Sequence, residues 1–182
     1  MQPVDPKFGP IARTLLETWF ALPKHDLVPY RSDFDPMVAV PILPVLVILE
    51  RGSDRVWRFR LAGTEIDRRW DRKVTGHDFT ELLAPDIAPI MCRELDTVVD
   101  TPCGSWSLAH VKFNSDRVAR IEFLRLPLRA KDGSLSLILG CAPEITSRNA
   151  YRPDTPLSVV GLVEQHFFDL GAGIPLAHRP VS

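Results

Sequence analysis

The stretch Phe59-Arg60-Leu61-Ala62-Gly63-Thr64-Glu65-Ile66, FRLAGTEI at residues 59–66, changes period at its centre. Before Gly63 the residues alternate as in a strand. After it, apolar and charged residues are spaced as in a helix. Such a corner can carry a nucleophile, hold a ligand, or simply redirect the chain. The sequence has no Gly-x-Ser-x-Gly string and no Walker-type phosphate loop, so nothing marks the corner as catalytic. Gly63 is expected to permit the tight change of direction, and Thr64 to cap a short helix over 65–70.

Working outward, the β-branched and leucine-rich run 45–50 predicts a strand. Gly52-Ser53-Asp54 supplies a turn, and 55–62 predicts a second strand, so the two form a hairpin. In the second strand Trp57, Phe59 and Leu61 share one face. Arg58 and Arg60 share the other with Val56 and Ala62. Upstream, 11–22 is an amphipathic helix with Ile11, Leu15, Leu16, Trp19 and Phe20 on one face, started at Pro10 and ended by Pro23. That stripe needs cover from its own domain or from a second subunit, and the pattern alone favours neither. Asp33-Phe34-Asp35-Pro36 reads as a turn into a short helical segment near 36–40.

Downstream, Asp78 or Thr80 can cap a helical piece containing Phe79, Leu82 and Leu83. The stronger helix is 85–101, with Ile87, Ile90, Met91, Leu95 and Val98 at helical spacing. Strands are expected over 105–113, with Ala109, Val111 and Phe113 on one face, and over 118–128 and 134–142. A further short helix is expected near 158–169. The order of two strands, short helices, one longer helix and three strands predicts an α+β fold with an antiparallel sheet.

The chain has 182 residues, 45% hydrophobic and 25% charged, with a formal net charge of -1. That balance is globular and offers no general attraction for polyanions, so no nucleic-acid partner is expected. The N-terminus lacks a continuous apolar core, and the longest apolar run, 38–49, is broken by Pro41 and Pro44. No signal peptide and no membrane contact are expected. The cysteines Cys92, Cys103 and Cys141 fit a reducing, cytoplasmic setting, with Cys103 the one candidate for an exposed thiol. The five histidines have no close-spaced partners of zinc type, so no metal site is expected.

The run PVLVILERGSDRVWRFRLAGTEIDRRWDRKVTGHDFTELL, with its Arg60-Leu61-Ala62-Gly63-Thr64 corner, Trp70, Thr75-Gly76 turn and Phe79–Leu83 piece, resembles the bacterial single-domain PAS family. Phe34-Asp35-Pro36, Ile42-Leu43-Pro44, Leu126-Pro127-Leu128 and Ile138-Leu139-Gly140 extend the resemblance over about residues 11–142. It implies a five-stranded antiparallel sheet flanked by short helices, with a central cavity and an N-terminal helix. The organisation is then an N-terminal arm and helix over 1–22, a PAS-like domain over 23–142 and a C-terminal extension over 143–182. The family's flavin-photosensor subtype carries a reactive Asn-Cys-Arg-Phe-Leu-Gln-like string, which does not occur here. A haem subtype would need one histidine, and none is marked, so the cofactor is unknown.

The resemblance implies a non-catalytic sensory or regulatory domain acting through protein contacts. Its partners would be a second copy of itself, a signalling protein and a small molecule. Pocket candidates from the hairpin and first short helices are Phe59, Leu61, Ile66, Trp70 and Phe79. Those from the longer helix and later strands are Ile90, Met91, Leu95, Val111 and Leu137. Arg58, Arg60 and His110 are the candidates for a charged ligand, since arginine offers a planar donor fork to carboxylate or phosphate. Leu15, Leu16, Trp19 and Phe20 are the candidates for dimerisation. Two alternatives stay open. One is a small α+β pocket enzyme of isomerase or dehydratase type, with His110 and a carboxylate such as Asp96 or Glu122 as its acid–base pair. The other is a ligand-free adaptor whose tail docks a partner.

Overall fold

The computed structural model describes residues 8–24, 26–112, 118–145 and 161–175. Its centre is an antiparallel sheet of six strands: β1 (Leu46–Arg51), β2 (Trp57–Ala62), β3 (Cys103–Lys112), β4 (Val118–Arg129), β5 (Leu135–Cys141) and β6 (Gly161–Asp169). The order across the sheet is β2-β1-β5-β4-β3-β6. The α+β class and the antiparallel sheet agree with expectation, and the strand count is one higher.

Both faces of this sheet are apolar, and each is covered by a different set of elements. On one face lie α1 (Pro10–Ala21) and a 3-10 segment, Pro36–Val45. On the other lie α2 (Thr64–Trp70), a 3-10 turn Phe79–Leu82, and α3 (Ala88–Asp100). Alternation along the strands divides the side chains between the two cores. In β4, Ile121 faces α3 while Leu126 and Leu128 face α1.

The helix α1 begins where the sequence placed it, with Pro10 at the first helical position, where its missing N–H costs nothing. Ala12, Leu15, Leu16 and Trp19 are fully or almost fully buried against the chain's own sheet. Trp19 Nε1 donates to the Pro127 carbonyl at 2.9 Å. The start of α1 is held by Glu122 of β4. Its carboxylate accepts the Gly9 N–H and the Trp106 indole N–H, each at 2.8 Å. A carboxylate at a helix N-terminus also meets the positive end of the helix dipole. The apolar stripe is therefore covered from within, and of the four dimerisation candidates only Phe20 remains exposed.

The corner at Gly63 is tight because of what lies beside it. A Cβ there would stand 2.1 Å from the Leu43 carbonyl oxygen and 2.4 Å from that of Pro44. The Gly63 N–H donates to the Leu46 carbonyl at 2.8 Å. Its backbone is ordinary extended chain (φ -69°), so close approach, not left-handed geometry, requires glycine. Thr64 is the first residue of α2, and the capping position is Gly63 itself. Asp78 does cap the next short turn, accepting the Thr80 N–H at 2.7 Å.

Two expectations are corrected. The segment read as a helix near 158–169 is a strand over 161–169, paired along the edge of β3. Its apolar residues suit a helix, but β3 offers an open ladder edge and a gap at Gly104, which Phe168 fills. In β2 a register shift opposite Ile48/Leu49 interrupts the alternation at Arg60. Trp57 and Phe59 face the α3 side, whereas Leu61 packs with the α1 core. Phe113 lies outside the described residues.

Gly63→Ala should destabilise the protein by about 1–3 kcal/mol or more, because backbone must move to admit the methyl group. A urea melt checks this, and unchanged stability would contradict the close approach.

Candidate functional site

Covering one sheet face with short helices leaves space between them. A cavity of about 150 Å³ lies between the sheet and α2, α3 and the Phe79–Leu82 turn. Phe59 of β2, Ile66 and Trp70 of α2, and Phe79 line it, as do Ile90 and Met91 of α3 and Val111 of β3. Leu61, Leu95 and Leu137 do not line it. Leu61 and Leu137 pack in the α1 core, and Leu95 is fully buried against the sheet under α3. The floor comes from residues that were not among the pocket candidates, including Ala109, Ile121, Phe123 and Ile138. Ile90 and Leu162 line the cavity and are also exposed, so they mark its mouth.

The walls are apolar except at one end, where Ser107, Arg125 and Arg69 reach the lining. Arg125 is almost fully buried. Its Nη1 donates to Glu94 Oε1 of α3 at 2.6 Å and to Ser107 Oγ at 3.0 Å. Ser105 Oγ donates to the same Glu94 oxygen. Burial lowers the Arg125 pKa, and the Glu94 charge opposes that shift. The Glu94 carboxylate and the guanidinium form a buried salt bridge at 2.6 Å. Arg125 Nη2 is buried and has no hydrogen-bond partner. The Arg125 guanidinium also lies over the Phe123 ring, 4.8 Å from its centroid. Arg69 donates through Nη1 to the Ala142 carbonyl at 2.5 Å and through Nε to Glu65 at 3.1 Å.

This polar end had a sequence signal that was missed. Ser105 and Ser107 of β3 and Arg125 of β4 are buried polar residues among apolar neighbours, and Glu94 sits on the apolar stripe of α3. Polar residues at core positions need partners, and here they partner one another.

The charged-ligand candidates lie elsewhere. Arg58 forks onto Asp54 in the hairpin turn at 3.0 and 2.7 Å, and Arg60 pairs with Glu50 at 3.1 Å. Both are surface ion pairs of small energetic weight, and neither lines the cavity. His110 is exposed on β3. Asp96 is engaged by Arg51 and by the Trp57 indole, and Glu122 by Trp106 and Gly9. The acid–base pair considered for an enzyme is thus not assembled in the cavity. Cys103 is fully buried rather than exposed, and burial pushes its thiol up to about 12. Cys141 is likewise buried and its pKa raised. Among the described residues no group of His, Cys, Asp and Glu is arranged to hold a metal ion, and no helix is long and apolar enough to cross a membrane.

This architecture has known counterparts. The PAS domain family matches residues 9–142, from the residue that caps α1 to the end of β5, and the chain belongs to that family. No curated protein matches the sequence. Among solved structures, VqmA bound to DPO is similar at a TM-score of 0.50 and 15% identity, over 61% of this chain and 57% of that one. The Vibrio cholerae VqmA dimer is similar at 0.50 and 15%, over 63% of this chain and 53% of that one. The PAS domain of Bordetella pertussis BvgS is similar at 0.49 and 19%, over 62% and 86%. At these identities the likeness is one of fold.

Two predictions follow from the site. Arg125→Met should destabilise the protein by about 3–5 kcal/mol because it strands the Glu94 charge, whereas Glu94→Leu combined with Arg125→Met should be close to neutral. Thermal and urea melts of the three proteins check this, and equal losses in both variants would contradict it. A disulfide reagent at neutral pH should leave Cys103 and Cys141 unmodified in the folded protein and react with them in denaturant. Rapid labelling of either thiol in the folded state would contradict their burial.

Proposed function

We propose that this PAS domain is a non-catalytic sensory or regulatory module that binds a small ligand in its central cavity and signals through protein contacts. The cavity carries the reading. Apolar side chains from nine elements, the six strands, α2, α3 and the Phe79–Leu82 turn, converge on this space. A cavity of this size holds about one benzene-sized ring. A tricyclic flavin exceeds it, so the cavity as it stands does not fit that cofactor. VqmA, a relative in fold, was solved bound to DPO, which accords with such a role.

Protein contacts would use the apolar surface left over when the core is complete. Phe20 on α1, and Met37, Val38 and Val40 on the 3-10 segment that packs beside it, are exposed. A second copy of this chain is the partner that this surface suggests, with a downstream signalling protein as the recipient. Buried, unpaired cysteines support a reducing, cytoplasmic setting.

Benzene is the minimal probe of the cavity. It should raise the melting temperature of the wild-type protein and shift amide resonances around Ile121 and Met91. Ala109→Phe, which places a ring in the same space, should remove both effects while leaving the circular dichroism spectrum unchanged. Absence of both effects in the wild type would overturn the ligand reading.

A further inference from the structure

One wall of the cavity mouth comes from the strand that is held most lightly. β6 pairs with β3 and with no other described strand, at the edge of the sheet. It lies beyond residue 142, where the PAS match ends. Each of the strands β1 to β5 contains buried residues, whereas none of the nine residues of β6 is buried. Elements with little buried apolar surface open locally before the rest of a fold does.

The pairing of β6 is weakest where it meets the cavity. Leu108 lies opposite Glu164 and Ala109 opposite Leu162, so Val163 bulges out of the ladder without a partner. The bulge sets Leu162 beside Ala109, and both line the cavity. Leu162 is 46% exposed and Val163 48%, and a Cβ at Gly161 would meet nothing within 4 Å. The other end of β6 is anchored by rings. Phe168 fills the gap at Gly104 and meets Phe8 edge-on, with centroids 5.5 Å apart, and His166 stacks on Trp106. Phe8 and Trp106 belong to the α1 core, on the sheet face away from the cavity. The strand therefore has a firm end docked on the α1 side and a loose end at the cavity mouth.

We propose that β6 is a gate coupled to the cavity, such that an occupant and the docked strand stabilise each other. This rests on the ligand-binding reading above and adds how that site is regulated. With β6 docked, Leu162 gives the occupant an apolar wall in place of water, and the occupant covers apolar surface of Leu162. With β6 detached, that contact is lost and the mouth stands wider. A ligand that favours the docked form shifts the strand toward docking, and docking raises the affinity by the same factor. The state of the cavity is thereby passed to the edge of the sheet.

Hydrogen exchange of the β6 amides tests this, with benzene as the probe and the β5 amides as the measure of global unfolding. In the wild-type protein the β6 amides should exchange faster than those of β5, through local opening. Benzene at about ten times its Kd should slow them by about tenfold. Rates in β6 equal to those in β5, or rates that benzene leaves unchanged, would overturn the inference. A second readout is the affinity of the Phe167→Pro, Phe168→Pro double variant. Neither residue lines the cavity. Successive N–H groups of a strand point to opposite sides, so one of the two prolines must remove a bond to β3. The β6 amides of this variant should exchange as in unstructured chain. Its affinity for benzene should fall by about threefold or more, the effect of returning roughly 30 Å² of apolar surface to water. A folded variant with β6 detached and wild-type affinity would also overturn the inference, and if the variant does not fold, the wild-type exchange rates decide. If benzene binds and β6 does not respond, the cavity reading stands and the gate falls. If benzene does not bind, both fall.

Discussion

A sheet with two apolar faces must be covered twice, and the two covers here differ in kind. The α1 side is closed by a continuous helix whose Trp19 reaches Pro127 and whose start is held by Glu122. The α3 side is closed by two helices and a 3-10 turn that together do not fill the available volume. The tight corner at Gly63 links the two, because it carries the chain off the edge of β2 and into α2 while passing against Leu43 and Pro44 of the 3-10 segment. The cavity results from this unequal cover.

The ion pair of Glu94 and Arg125 ties the looser cover to the sheet. It links α3 to β4 through a buried contact, whereas Arg51 links β1 to Asp96 and Asp100 of α3 nearer the surface. A buried pair of this sort adds little net stability compared with an apolar replacement. What it does is fix the position of α3 against the sheet beside the cavity.

Much of the fold was legible from residue pattern. The corner at residues 59–66, the hairpin before it, the helix α3 and the three later strands all followed from period and turn residues, and seven of the named pocket residues line the cavity. What was missed depended on tertiary context. The break in alternation at Arg60 is a register shift against β1, which moves Leu61 to the opposite core and cannot be read from β2 alone. The segment after residue 160 has apolar residues at spacings that suit a helix, and it becomes a strand because β3 offers an unpaired edge and a glycine for Phe168 to cover. The charged residues that drew notice, Arg58 and Arg60, are surface ion pairs. Arg125 looked unremarkable within an apolar strand, and only its burial beside Glu94 distinguishes it.

The central claim is that the space between the sheet and α3 is a binding site and not a packing remnant. A crystal structure of protein purified without added ligand tests this most directly. The account predicts a closed density feature bounded by Phe59, Met91 and Ile121. An empty space, or rotation of Trp70 or Phe79 into it with no volume left, would contradict it.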